Sequence, residues 1–131
     1  MADLMNFNGT IMQLLDIKQL EVTKVRVVLT MPITTKTHQP MGSLHGGASV
    51  VLAETAATMG AWMNIDRDKQ MVMGIEVNAS HLRGKRDGTV TATATPRHIG
   101  HATSVWDIAI TDEKDRLICC SRCTLAIIAK Q

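Results

Sequence analysis

Hydrophobic and polar residues alternate over several stretches of the chain, and one long apolar run interrupts the alternation. Residues 19–31 read as a single half-buried strand. Val25, Val27, Leu29 and Met31 fall on one side, Lys24, Arg26 and Thr30 on the other, and Pro32 ends it. Upstream, residues 8–15 (NGTIMQLL) have the composition of a short helix with Asn8 in the N-cap position. Residues 32–43 form a polar loop containing Pro32 and Pro40. The run HGGASVVLAETAATMGAWM, residues 45–63, is rich in Ala, Met and Leu and too long for an ordinary strand. It predicts a helix, and because it is apolar nearly all the way round, a helix buried on most sides.

The remainder predicts strands at 71–83, 88–99, 102–111 and 116–129. Thr89, Thr91, Thr93 and Thr95 line one face of the second. Arg86-Asp87-Gly88 and Asp112 to Asp115 look like hairpin turns. One strand before the long helix and four antiparallel strands after it make an α+β domain, a sheet wrapped against a central helix, spanning residues 1–131.

Composition narrows the function classes. A chain of 131 residues, 45% apolar and 20% charged, suits one globular core. A net charge of +2 gives no strong field for nucleic acid, while leaving room for a local basic patch on a phosphorylated ligand. Phe7, Trp62 and Trp106 are the only aromatic residues, too few for a base-stacking platform. No apolar run approaches the ~18 residues of a membrane span. The opening MADLMNFNGT lacks the basic-then-apolar layout of a signal peptide. Three cysteines without an export signal point to reduced thiols in the cytoplasm. Cys120 and Cys123 match C-x-x-C, but on a strand residues three apart face opposite ways. They read as buried small hydrophobes, not as a disulfide or a metal pair. His98 and His101 have a glycine between them and no nearby carboxylate or thiol partner. The expectation is therefore an activity with no metal and no cofactor.

Glu54 stands out. It lies mid-helix among Val50, Val51, Leu52, Ala53, Ala56 and Ala57, where an unpaired carboxylate is costly. It is either held in an ion pair by an arginine from the sheet or it is functional. Thr58 lies at i+4 on the same helical face, where its hydroxyl either orients the carboxylate and a water or back-bonds to a helix carbonyl. Gly46 and Gly47 open the helix, and their orphan N–H groups offer an oxyanion site. Gly46 and Glu54 are eight residues apart, roughly 12 Å at 1.5 Å per residue. One thioester-sized group cannot touch both on one helix. A site built from both predicts a homodimer with two shared sites.

The run Gln39-Pro40-Met41-Gly42-Ser43-Leu44-His45-Gly46-Gly47, continuing to Glu54, resembles the signature of hotdog-fold acyl-CoA thioesterases. The similarity continues through Gly74 to Arg83, Pro96 to His101, Val105-Trp106 and Asp112-Glu113-Lys114. It is strongest to the bacterial hydroxyaryl-CoA branch, which includes the 1,4-dihydroxy-2-naphthoyl-CoA thioesterase and the enterobactin-pathway proofreading thioesterase. The resemblance implies a hotdog fold and hydrolysis of an acyl-CoA, aryl or hydroxyaryl, to free acid and CoA. It gives the Gly46 N–H the task of polarising the thioester carbonyl and makes Glu54 the nucleophile or general base. Gln39 and His45 would orient the carbonyl or the leaving thiolate, and Thr58 would place water; the alternative for His45 is a helix-start histidine bonded to backbone. His81, Arg83, Gly100 and His101 would contact the CoA arm. The branch often has serine where this chain has Thr58, and an arginine after the glycine turn where this chain has His101-Ala102. The resemblance also implies a dimer of dimers. A medium-chain or carrier-protein thioester, and a non-catalytic acyl-CoA-binding protein, are the alternatives. A hotdog dehydratase would need a His and Asp pair that this chain lacks at that place.

Overall fold

The computed structural model describes residues 5–131, so the first four residues of MADLMNFNGT lie outside the described part. A short helix α1 (Ile11–Leu14) leads into strands β1 (Lys18–Val22) and β2 (Val27–Pro32). The long helix α2 (Gly46–Trp62) follows, then β3 (Gln70–His81), β4 (Thr89–Ile99), β5 (Thr103–Thr111) and β6 (Leu117–Ala129). All neighbouring strands are antiparallel, in the order β1-β2-β4-β5-β6-β3.

Three expectations change. The single strand at 19–31 is a hairpin, because Thr23 Oγ1 accepts the Arg26 N–H and turns the chain at 23–26. Val27, Leu29 and Met31 face the core as expected, but Val25 sits in the turn, exposed. The sheet therefore has six strands, two of them before α2. The first helix is shorter than 8–15, and Thr10, not Asn8, occupies its N-cap position, without a side-chain capping bond. Finally, Arg86 to Gly88 is not a hairpin turn: it ends the crossover that runs from β3, at one edge beside β6, to β4 in the middle of the sheet. Asp112 to Asp115 does close a hairpin, between β5 and β6.

The sheet curls around α2 in a hotdog fold. Inward residues of the central strands, among them Leu29, Val90, Ala92, Trp106, Ile110 and Leu125, are fully buried against Leu52, Ala53, Ala56, Ala57 and Met59 of the helix. Small residues on α2 let the sheet come close. At Gly60 the Trp106 ring occupies the space a Cβ would need. The buried indole N–H donates to Ser104 Oγ at 2.8 Å, so this large side chain leaves no orphan donor. β1 and β3 are the sheet edges. β3 is 12 residues long and exposes Met73 and Ile75, the latter at a bulge between Gly74 and Glu76.

Candidate active site

The start of α2 is fixed by its neighbours. The Leu44 N–H donates to Lys85 O (2.7 Å) and the His45 N–H to Thr37 O (2.8 Å), which ties the preceding loop to the segment after β3. His45 is the N-cap residue, and its Nδ1 accepts the Gly47 N–H at 2.7 Å. This corrects the expectation of two free amides: Gly47 is capped, and among the described residues only the Gly46 N–H of the pair is left without a partner, at the edge of a cavity. With Nδ1 accepting that bond, Nε2 is the ring position left to donate. Gly46 is bare because His81 lies over it, with Nε2 2.7 Å from where a Cβ would stand. Gln39, Ser43, Gly46, Ser49, His81 and Arg83 line one cavity of about 420 Å³. Gln39 Oε1 accepts the Met41 N–H, which leaves its amide NH₂ free to donate. Arg83 has no carboxylate partner among the described residues.

Glu54 belongs to a second cavity, of about 320 Å³, between α1 and α2. The ion pair with a sheet arginine is not found: among the described residues no cation lies within 4.0 Å of its carboxylate, and no side-chain hydrogen bond holds it. Instead the carboxylate rests against Gly74 of β3, with Oε2 2.6 Å from a would-be Cβ. Thr55 Oγ1 donates to Val51 O (2.6 Å) and is spent on the helix. Thr58, one α-turn beyond Glu54, lines the cavity and makes no such bond among the described residues. Its hydroxyl is available to a water.

The nearby cysteines do not compete as nucleophiles. Burial, and then the negative charges of Glu54 and Glu76, push the Cys123 thiol up to about 12, so it stays protonated near neutrality. Burial also raises Cys119. Cys119 and Cys123 face the core; Cys120 and Cys123 point to opposite faces as their spacing implies, so Cys120 is exposed and not the buried hydrophobe expected.

Within one chain the expected site residues form three groups. Gln39, His45, Gly46, His81 and Arg83 gather at the start of α2, and Glu54 and Thr58 sit in the other cavity. Gly100 and His101 lie at the far end of the sheet. His81 pairs with Cys119 and Thr103 with Ala126, so seven residues of β6 separate the two ends, roughly 23 Å. Sequence reasoning missed Gly74, although an isolated glycine inside a strand pattern signals a bulge or a close approach, and Gly74 is both. It also missed Met5 and Met12, which wall the Glu54 cavity. Among the described residues no cluster of His, Cys, Asp or Glu could hold a metal ion.

The lone carboxylate beside an apolar cavity and the glycine that opens the same helix are the two parts that the sequence resemblance expects of a thioesterase. Comparison with known proteins decides it: residues 41–119 match the thioesterase superfamily. The chain belongs to that superfamily. This thioesterase is 52% identical to ComA2 of Bacillus subtilis over 126 residues, covering 96% of this chain and 100% of that one. It is 51% identical over 115 residues to the 1,4-dihydroxy-2-naphthoyl-CoA hydrolase of Listeria monocytogenes, covering 88% of this chain and 93% of that one. A crystal structure of a mutant of the thioesterase PA1618 from Pseudomonas aeruginosa superposes with a TM-score of 0.92 at 40% identity, covering 95% of this chain and 89% of that one. The thioesterase is thus a hydrolase of thioesters on a hotdog fold. No helix among the described residues is long and apolar enough to cross a membrane.

Proposed function

We propose that the thioesterase hydrolyses an acyl-CoA to free acid and CoA, in sites shared between two copies of the chain. The observation that carries this reading is the separation of Glu54 and the Gly46 N–H into different cavities of one chain, although the chemistry needs both. In each site the Gly46 N–H of one copy, backed by the helix dipole, stabilises the oxyanion that develops on the thioester carbonyl. Glu54 of the other copy attacks the carbonyl carbon or takes the proton of the attacking water, and the CoA thiolate leaves. Thr58 orients the water, and Gln39 and His45 Nε2–H donate to the carbonyl or the leaving sulfur.

The edge strand supports the pairing. Gly46 touches His81 and Glu54 touches Gly74, both on β3. Two β3 edges paired antiparallel about a twofold axis between Val77 and Asn78 set His81 of one copy opposite Gly74 of the other. That brings the Gly46 N–H and the Glu54 carboxylate to one substrate, and it covers Met73 and Ile75. The same rotation carries Arg83 of one copy to the sheet end that holds Gly100 and His101 of the other. The separated CoA contacts then lie about three strand spacings apart, roughly 15 Å. CoA binding is electrostatic, through Arg83, His81 and His101. The acyl group is aryl or hydroxyaryl, in keeping with the substrate that names the Listeria relative. Two such dimers assemble into a tetramer. Three free cysteines suit a cytoplasmic setting.

Co-expression tests the shared site. A Glu54→Gln chain is combined with a Gly46→Pro chain, which loses the N–H at a helix position whose backbone accepts proline but whose Cβ presses on the His81 ring, so folding of that chain is verified first. Each variant alone is inactive. Heterodimers regain up to about half of wild-type activity, because one of their two sites has neither defect. If verified heterodimers recover nothing, the site lies within single chains and this reading is wrong.

A further inference from the structure

We infer that the segment containing α1 sets how large an aryl group this site accepts, and that Met12 is the residue deciding it. This rests on the reading of Glu54 as the reacting carboxylate. If the thioester carbon lies within reach of Glu54, the substituent on the acyl side extends into the cavity that Glu54 lines. One wall of that cavity is α2, through Val51, Glu54 and Thr58; the other is Met5, Ile11 and Met12 of the N-terminal segment.

The chemistry of the walls selects the ligand. Among the described residues no cation lines the cavity, so an acidic acyl group finds no partner on these walls. With Thr55 bonded to Val51 O, Thr58 is the only hydroxyl left to the ligand from the helix wall. Two methionines on the facing wall provide a polarisable surface that adapts its shape and makes favourable sulfur contacts with aromatic rings. The volume of about 320 Å³ is at the small end for ligand cavities, which suits one or two fused rings better than a long extended chain.

Met12 is the member of the wall with a fixed backbone and an adjustable side chain. Its carbonyl accepts the Ile17 N–H (2.9 Å), and the turn around it is held by the Gly9 N–H donating to Gln13 Oε1 (2.7 Å) and by Gln19 Nε2 donating to Met5 O (2.8 Å). Its side chain is half-buried and packs on the core, while Ile11 is 50% exposed at the mouth. A change of size at Met12 therefore changes the depth of the cavity without moving the segment.

The test measures kcat/KM of the full-length protein for benzoyl-CoA, 1-naphthoyl-CoA and octanoyl-CoA. Wild type, Met12→Ala, Met12→Phe, Leu14→Ala and Glu54→Gln are compared, with folding checked by circular dichroism. Wild type is expected to favour the aryl thioesters over octanoyl-CoA. Met12→Phe is expected to lower the naphthoyl-to-benzoyl ratio by about tenfold or more, the effect of one or two carbons' worth of pocket space, and Met12→Ala to raise it. Leu14 is 68% exposed and outside the cavity, so Leu14→Ala leaves the ratio unchanged. A purely structural role for Met12 would scale all three substrates alike. Ratios in folded, active Met12 variants that stay within about threefold of wild type overturn the assignment of Met12. Preference of wild type for octanoyl-CoA overturns the aromatic class. Where Met12→Phe does not fold, the Met12→Ala ratio decides. Glu54→Gln separates the two levels: if it stays active, the reading of the site has failed, whatever the Met12 ratios show.

Discussion

The carboxylate of Glu54 lies against the bare Cα of Gly74, so closely that a methyl group at position 74 would stand 2.6 Å from Oε2. Helix and strand meet at this point, and the strand bulges there. In the absence of any ion pair to Glu54 among the described residues, the notch at Gly74 determines where the carboxylate sits. Gly74→Ala should therefore move the carboxylate and lower kcat about tenfold or more, ~1.4 kcal/mol of barrier, with a smaller change in KM. Gly74 has no positive φ, so alanine meets no backbone strain, and the melting temperature should fall little. Equal losses in kcat and in thermal stability would make Gly74 a packing residue only.

Thr55 and Thr58 sit on the same wall of the Glu54 cavity but differ in their bonds. Thr55 is tied to Val51 O, and Thr58 is free to hold water. Thr58→Ala should reduce kcat, by less than Glu54→Gln does, because placing a water is worth less than the reacting charge. Thr58→Ser keeps the hydroxyl and should stay near wild type, and Thr55→Ser should as well. Steady-state kinetics on one aryl-CoA checks all three. A Thr58→Ser enzyme as damaged as the Thr58→Ala enzyme would point to packing of the methyl group.

Gly60 lets the Trp106 ring lie directly on α2, with ring carbons where a Cβ would have to stand. In an exposed helix Gly→Ala would stabilise by about 1 kcal/mol. Here overpacking should outweigh that gain, and Gly60→Ala should destabilise by about 1–3 kcal/mol in urea unfolding. A more stable variant would show that the indole can slide aside at no cost.

Asp112 closes the β5–β6 hairpin. Burial raises the pKa of its carboxyl, but the N–H groups of Arg116 and Lys114 and the Arg116 guanidinium outweigh that and hold it down at about 2. A carboxylate whose folded pKa is depressed stabilises the fold above its ordinary value of 3.8 and loses that contribution as pH falls toward 2. Asp112→Asn should therefore lower the melting temperature at neutral pH. The gap between variant and wild type should narrow between about pH 4 and pH 2, and a gap independent of pH would assign the loss to hydrogen-bond geometry instead.

The long buried helix, the four strands after it and the chemical outlier at Glu54 were all legible along the chain. Each is a local matter: an apolar run longer than a strand, alternation with period two, and a charge among alanines and valines. The sequence by itself also determined that Gly46 and Glu54 cannot serve one thioester on one helix, since the rise per residue fixes their separation. Tertiary structure decided what depends on partners distant in sequence. The break of 19–31 into two strands hangs on a threonine turn that alternation does not register. The crossover after β3 follows from β3 pairing with β6, which local turn signals at Arg86 to Gly88 cannot reveal. The sequence left His45 either a substrate contact or a helix-start histidine bonded to backbone, and only the rotamer shows that its Nδ1 takes the Gly47 N–H. Gly74, Met5 and Met12 are all distant from Glu54 along the chain, and only the closure of the sheet and the N-terminal turn around α2 brings them to one carboxylate.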